Sequence, residues 1–358
     1  MKITAVTAKK TQMQLIAPFT VAWGTMTSQE TWVVKVETDE GITGYGSAAP
    51  TPFVTGDTIN SSREAIELIG SVLTGFDPCD VAGAHARMDS VIFHNDPAKC
   101  GIDIALYDIL GKKKGLPVYK LLGGRVPSVE TDYTVGINTP EKMLAEAMSY
   151  VNSGLRILKV KIGLDLDHDI EALKMIRASA GKDVRIRVDA NQGYDVETAL
   201  RAMKAFEAIG IDAAEQFLPW WDLEGAAELM RRNDTGVKLM LDESIHNVHD
   251  ALRAAQMHCA DYFNIKLMKC GGIYYGAQIA DIAAQAGIRC MVGCMGEDRI
   301  SLTAAISLVA AKDSIVEADC DSLRDIVKEP DFIHGGYQEA GGICTLSEEP
   351  GLGISVDF

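Results

Sequence analysis

The sequence predicts an α/β protein: a (β/α)8-type barrel preceded by an α+β capping domain. Three observations predict it. From residue 128 onward, short apolar strands alternate with helical segments in eight successive units of roughly 25–30 residues, as a closed parallel barrel requires. Residues 1–123 lack that rhythm and mix strands with helices. No Gly-rich dinucleotide loop follows the first strand, as a doubly wound open sheet would demand.

Along the chain, residues 2–14 and 30–38 (ETWVVKVET) alternate and are rich in β-branched residues, so they read as strands. Between them, residues 16–28 (IAPFTVAWGTMTS) mix aromatics with Gly and Pro and read as a mobile lid loop. DEGITGYGSAAP supplies a turn and a short strand. Residues 58–75, 79–93 and 97–114 carry helical periodicity, and Gly115 and Pro117 end the last helix. The barrel strands are then 131–137, 156–163, 184–190, 212–217, 237–243, 261–267, 288–294 and 314–319. The expected division is a capping domain over 1–123, a barrel over 124–321 and a Gly-rich tail over 322–358 that returns to the capping domain.

Composition narrows the partners. Lys and Arg total 34 against 50 Asp and Glu, a formal charge of −16, which disfavours nucleic acid and tolerates cations. Part of that charge is simple solubility. The eight cysteines form no CxxC pair, so neither a zinc ribbon nor a thioredoxin-like site is expected. Reduced thiols, no signal-like N-terminus and no apolar run of spanning length point to a cytoplasmic protein without a membrane partner.

The informative residues are charges at the C-terminal ends of apolar strands, where barrel active sites lie. Asp189, Glu215 and Asp242 end three consecutive strands. One such acid alone would read as a cap on the following helix. Three converging on one mouth would repel unless a cation neutralised them, and hard oxygen ligands select Mg²⁺, with Mn²⁺ as the alternative. Lys159 and Lys161 share one face of the second strand, and Lys266 ends the sixth, nearly opposite. Two amines approaching one α-carbon from opposite sides can remove a proton on one face and return one on the other. Their pKa values should fall beside another cation. Lys269, just beyond its strand, reads as a surface lysine.

LKVKIG, RVDANQGYD, EQFLPWWD, LDESIHN and NIKLMKCGGI together resemble the muconate lactonizing enzyme subgroup of the enolase superfamily over most of the chain. GIDIALYDILGKKKGLPVYKLLGG is similar to that family's link between capping domain and barrel. The resemblance implies a modified TIM barrel with an enolase-like capping domain, Asp189, Glu215 and Asp242 on Mg²⁺, and Lys161 and Lys266 as the two bases. Lys159 would balance charge near the substrate carboxylate. At the eighth strand, EADCDS resembles the dipeptide epimerases, in which an Asp-X-Asp pair, here Asp319 and Asp321, binds the substrate's α-ammonium. The implied reaction is a two-base 1,1-proton transfer through a Mg-stabilised enediolate, inverting the α-carbon of a dipeptide's C-terminal residue. Members acting on Ala-Glu carry a lid arginine; here Gly24 stands at the comparable place. A cationic or hydrophobic second residue is therefore expected, with Gly24, Phe53, Thr134, Glu297 and Asp298 as further substrate contacts. Trp23 and Phe19 could add an apolar or cation–π lid surface. Self-association is expected of this fold. The rival readings are a cycloisomerase, an o-succinylbenzoate synthase, an N-acylamino acid racemase or a non-catalytic peptide-binding barrel.

Overall fold

A computed structural model describes all 358 residues. The chain opens with a three-stranded antiparallel sheet, Ile3–Val21, Gly24–Thr38 and Thr43–Ala48, paired in sequence order. Helices Ile59–Leu73, Val81–Val91 and Asp96–Lys114 pack on it. Sheet and long helix approach closely because Gly44 and Gly46 carry no side chain. A Cβ on either would fall within about 2 Å of the Ala105 or Gly101 carbonyl oxygen, at 2.1 and 1.8 Å respectively.

The expected lid loop over 16–28 is instead the tip of a long β-hairpin. Its strands pair from Ile3↔Thr38 to Val21↔Gly24, with an irregularity between Gln14 and Phe19. Alternating Thr, Gln and Met residues after Gly24 sustain the ladder, a signal outweighed in the sequence by the Gly and Pro nearby. The hairpin is stapled to the chain after the last barrel strand: Ile16 N–H donates to the Asp325 carbonyl at 2.7 Å, and Val327 N–H to the Gln14 carbonyl at 2.8 Å. The lid therefore rests on the rim of the barrel.

Eight parallel strands form the barrel in sequence order: Tyr133–Val135, Ile157–Lys161, Arg185–Asp189, Ala213–Glu215, Lys238–Leu241, Tyr262–Ile265, Arg289–Gly293 and Ile315–Asp319. The ring is nearly closed, with Asp132 N–H donating to the Ala318 carbonyl at 3.2 Å between the first and last strands. Helices between strands cover the outside, and the apolar core runs between the two layers. At the opposite end from the mouth, Arg187 is buried and paired with Glu317 at 2.9 Å and with Asp132. That network occupies the face where barrels place stability rather than chemistry.

The tail forms short antiparallel pairs, Ile333–Gly335 with Ile354–Val356, and Gln338–Ala340 with Ile343–Thr345 and Ser128–Glu130. It touches the long capping helix, where Leu352 N–H donates to Asp108 Oδ1 at 2.9 Å. No helix is long and apolar enough to cross a membrane.

Candidate active site

Register places the key charges together. Lys161 pairs with Asp189, and Asp189 with Glu215, on adjacent strands, so all three project from one level toward the mouth. Asp242 follows the fifth strand directly. Asp189, Glu215 and Asp242 are all buried, and one oxygen from each lies within 4.8 Å of the others.

Buried lysines surround them. Lys161 Nζ lies 2.6 Å from Asp189 Oδ2. Lys159 Nζ lies 3.2 Å from Asp189 Oδ2, 2.9 Å from Glu215 Oε2 and 2.7 Å from Asp319 Oδ2. Lys266 Nζ lies 2.8 Å from Asp242 Oδ2. Burial opposes charge on Asp189, Glu215, Asp242, Lys159 and Lys266, yet the ion pairs decide all of these but Glu215. Lysines 161 and 159 hold Asp189 below the usual carboxylate range, and Lys266 with Lys269 holds Asp242 well below it. Glu215 is the exception: burial and the Asp189 charge push it up to about 7. For Lys266, burial lowers the pKa, but the Asp242 charge outweighs it and holds the ammonium above the ordinary lysine range; Lys159 behaves likewise. That direction reverses the downward shift expected from the sequence, because the neighbouring carboxylates are closer than any like charge.

The donor set fits a hard divalent cation. It consists of three carboxylates from three strand ends, with the ligand atoms converged. Asp242 Oδ2 is buried and makes one polar contact, with the Lys266 ammonium at 2.8 Å, in a geometry that misses hydrogen-bond alignment. Asp189, Glu215 and Asp242 are the residues that would hold the ion.

The cleft above them lies between barrel mouth and lid. The barrel lines it with Lys159, Lys161, Lys266, Asp319, Asp321 and Thr134; the lid contributes Leu15, Phe19, Val21, Trp23 and Met26, with Val54 from the next segment. Asp321 Oδ2 accepts the Thr134 backbone N–H at 2.7 Å. Burial and the Asp319 charge push Asp321 up to about 6. Asp319 is driven the other way: burial opposes its charge, but Lys159 and Lys266 outweigh it and hold it low.

Two family models cover nearly the whole chain. Residues 2–123 match the mandelate racemase/muconate lactonizing enzyme N-terminal domain, and residues 142–358 match the enolase C-terminal domain-like family. The hydrophobic dipeptide epimerase of Enterococcus faecalis is 40% identical over 99% of this chain and 100% of its own. The L-Ala-D/L-Glu epimerase of Clostridium acetobutylicum is 39% identical over 94% of each chain. This chain belongs to the dipeptide epimerase family of the enolase superfamily. A crystal structure of the Enterococcus faecalis dipeptide epimerase, complexed with Mg and L-Leu-L-Tyr, superposes with a TM-score of 0.96 at 39% identity, covering 99% of this chain and 100% of that one. Specificity varies among these relatives, one being a hydrophobic dipeptide epimerase and the other an L-Ala-D/L-Glu epimerase.

Not every expected contact of the epimerase reaches the cleft. Asp298 is a correction: it is wholly buried and caps the helix Arg299–Val309, while Thr31 and Ser47 hydroxyls each donate to its Oδ2 at 2.7 Å. It ties capping domain to barrel and has no oxygen left for substrate. Glu297, in the loop after the seventh strand, is also buried, with Oε1 accepting the Met295 N–H at 2.9 Å and Oε2 unpartnered. Gly24 sits at the hairpin turn, where an added Cβ would meet nothing within 4 Å, and its neighbour Trp23 reaches the cleft instead. Phe53 is largely exposed and stacks on Trp23 from outside, centroids 4.8 Å apart.

Lys269 is the plainest correction. It is no surface lysine but is 1% exposed, with its ammonium against Asp242. Two polar residues that hold the ligands carry no role in the sequence reading. Asn264 Nδ2 donates to Glu215 Oε1 at 2.7 Å. Gln216 Oε1 accepts the Asp242 N–H at 2.8 Å, from a backbone at φ +36°. Asn264 was detectable, since it lies two residues before Lys266 on an apolar strand and so shares its face.

Proposed function

We propose that this enzyme inverts the α-carbon of the C-terminal residue in dipeptides whose side chains are hydrophobic. The observation that carries this is the pairing of two buried lysines, one ending the second strand and one directly after the sixth, with a cleft whose lid wall is mainly apolar and contains no basic residue. Lys161 and Lys266 stand four strands apart, across the mouth, so one amine can take the α-proton while the other returns a proton to the opposite face. A divalent cation on Asp189, Glu215 and Asp242 would supply Lewis-acid stabilisation of the negative charge that develops on the substrate carboxylate. Lys159, between that level and Asp319, would balance charge beside the same carboxylate. Asp321, oriented by the Thr134 N–H, and Asp319 would hold the N-terminal ammonium, fixing the peptide's direction.

Leu15, Phe19, Val21, Trp23, Met26 and Val54 would receive an apolar side chain. The 40% identity to a hydrophobic dipeptide epimerase supports this preference. A cationic side chain is the second reading, favoured by Asp325, an acidic residue that also lines the cleft. The test is incubation of a mixed dipeptide library with Mg²⁺ in D₂O. Deuterium at the C-terminal α-carbon of apolar dipeptides, ahead of Ala-Glu and Lys- or Arg-containing ones, is the expected result. Label in acidic dipeptides first would overturn the preference, and no label at all would overturn the activity.

A further inference from the structure

Lys269 has no place in the two-base scheme, yet it is among the most deeply buried charged side chains in the molecule. The sixth strand ends at Ile265, and Lys266 then caps a single helical turn, Leu267–Cys270. That turn carries Lys269 back beneath the mouth. Its ammonium lies 2.5 Å from Asp242 Oδ1, donates also to the Asp242 carbonyl oxygen, and reaches the Asn264 carbonyl oxygen at 3.1 Å. Three protons meet three acceptors, so the group is saturated. Its partners belong to the ends of two neighbouring strands, the fifth and the sixth.

The consequence is an asymmetric Asp242. One carboxylate oxygen, Oδ1, is fixed from below by Lys269. The other, Oδ2, has only the Lys266 ammonium beside it, at 2.8 Å, without an aligned hydrogen bond; one oxygen of this carboxylate lies within 4.8 Å of oxygens of Asp189 and Glu215. Gln216 fixes the backbone of the same residue through its N–H. We propose that Lys269 is a positioning residue for the metal: it locks the Asp242 carboxylate so that Oδ2 alone is presented to a divalent cation. This rests on the reading of Asp189, Glu215 and Asp242 as the ligands. Groups that orient a ligand in this way ordinarily change metal affinity by about 10–100-fold.

Simple electrostatics makes the opposite prediction, which renders the proposal testable by sign. A buried positive charge beside a cation site repels the ion, so its removal should tighten binding. If Lys269 instead orients the ligand, its removal should weaken binding although repulsion is relieved. The experiment measures Mn²⁺ binding by electron paramagnetic resonance, without substrate, in wild type, Lys269→Met, Lys269→Arg and Asp189→Asn. Circular dichroism and unfolding curves monitor the fold. Expected is a 10–100-fold weaker Mn²⁺ affinity in Lys269→Met. Lys269→Arg, which keeps the charge but cannot reproduce the three contacts, should also bind more weakly and serves as the deciding variant if the methionine protein does not fold. Unchanged or tighter binding in the folded variants overturns the role of Lys269. Strong binding by wild type that survives Asp189→Asn instead overturns the ligand assignment beneath it.

Discussion

Lys161 Nζ and Asp189 Oδ2 lie 2.6 Å apart on adjacent strands, so a lysine that would move protons touches a carboxylate that would hold the metal. On the other side of the mouth, Lys266 and Asp242 repeat the relationship at 2.8 Å. Each lysine therefore sits beside the ion site, but from a different strand, and each should serve one face of the substrate. Lys266→Ala should reduce epimerisation by at least about 10²-fold. Exchange of the α-proton from one epimer should survive through Lys161, and Lys161→Ala should show the mirror-image pattern. Proton NMR in D₂O with each epimer supplied separately reads this out. Equal loss of exchange from both epimers in either variant would contradict the division of faces.

The Asp321 carboxylate is aimed by the Thr134 N–H at 2.7 Å, whereas Asp319 is engaged by Lys159. Asp321 is thus the freer partner for an incoming ammonium. Asp321→Asn should raise KM for dipeptides by about 10- to 100-fold, the range for a hydrogen bond to a charged group, with a smaller effect on kcat. An N-acetylated dipeptide, which has no ammonium, should not distinguish variant from wild type. An equal loss with both compounds would remove Asp321 from amine recognition.

Trp23 is the lid residue that joins cleft and exterior, since it lines the cavity and stacks on Phe53. Trp23→Ala should lower kcat/KM by about tenfold for a Leu-Tyr-type dipeptide and much less for Ala-Ala, because only a large apolar side chain reaches the deleted ring. A uniform loss across dipeptides would mean that Trp23 supports lid position rather than side-chain recognition.

How much of this was legible follows from how each residue is held. Strand residues obey a two-residue alternation, so Asp189, Glu215 and the pair Lys159 and Lys161 could be assigned to one mouth from spacing alone. Their neighbours in three dimensions follow from strand order, which the barrel fixes. Lys269 lies beyond its strand, on a helical turn whose direction no alternation specifies, and it was mistaken for a surface group. Asp298 carries its own signal, an acid immediately before the helical segment RISLTAAISLV, which is an N-cap pattern. Its burial depends on Thr31 and Ser47 from the other domain, and that contact is invisible in local sequence. The hairpin tip was missed because Gly24, normally a loop signal, serves here as one residue of the tight reversal after Val21.

Glu297 supplies a test of the fold rather than of the chemistry. It is buried, with Oε2 lacking any hydrogen-bond donor, and burial pushes its carboxyl up from 4.5 to about 7. A carboxyl whose folded pKa is raised binds its proton more tightly in the native state than in the unfolded one. Its contribution to stability is fully present below the unfolded value, near 4.5, and is lost as pH rises through 7. The loss amounts to about 3 kcal/mol for a shift of this size. Glutamine cannot ionise and resembles the neutral acid in shape. Glu297→Gln should therefore match wild type closely at pH 4.5 and gain on it steadily up to pH 8, by about 3 kcal/mol at the upper end. Urea unfolding of both proteins across that range measures the difference. Curves that run parallel with pH would show that Glu297 titrates as an ordinary solvated carboxylate despite its burial.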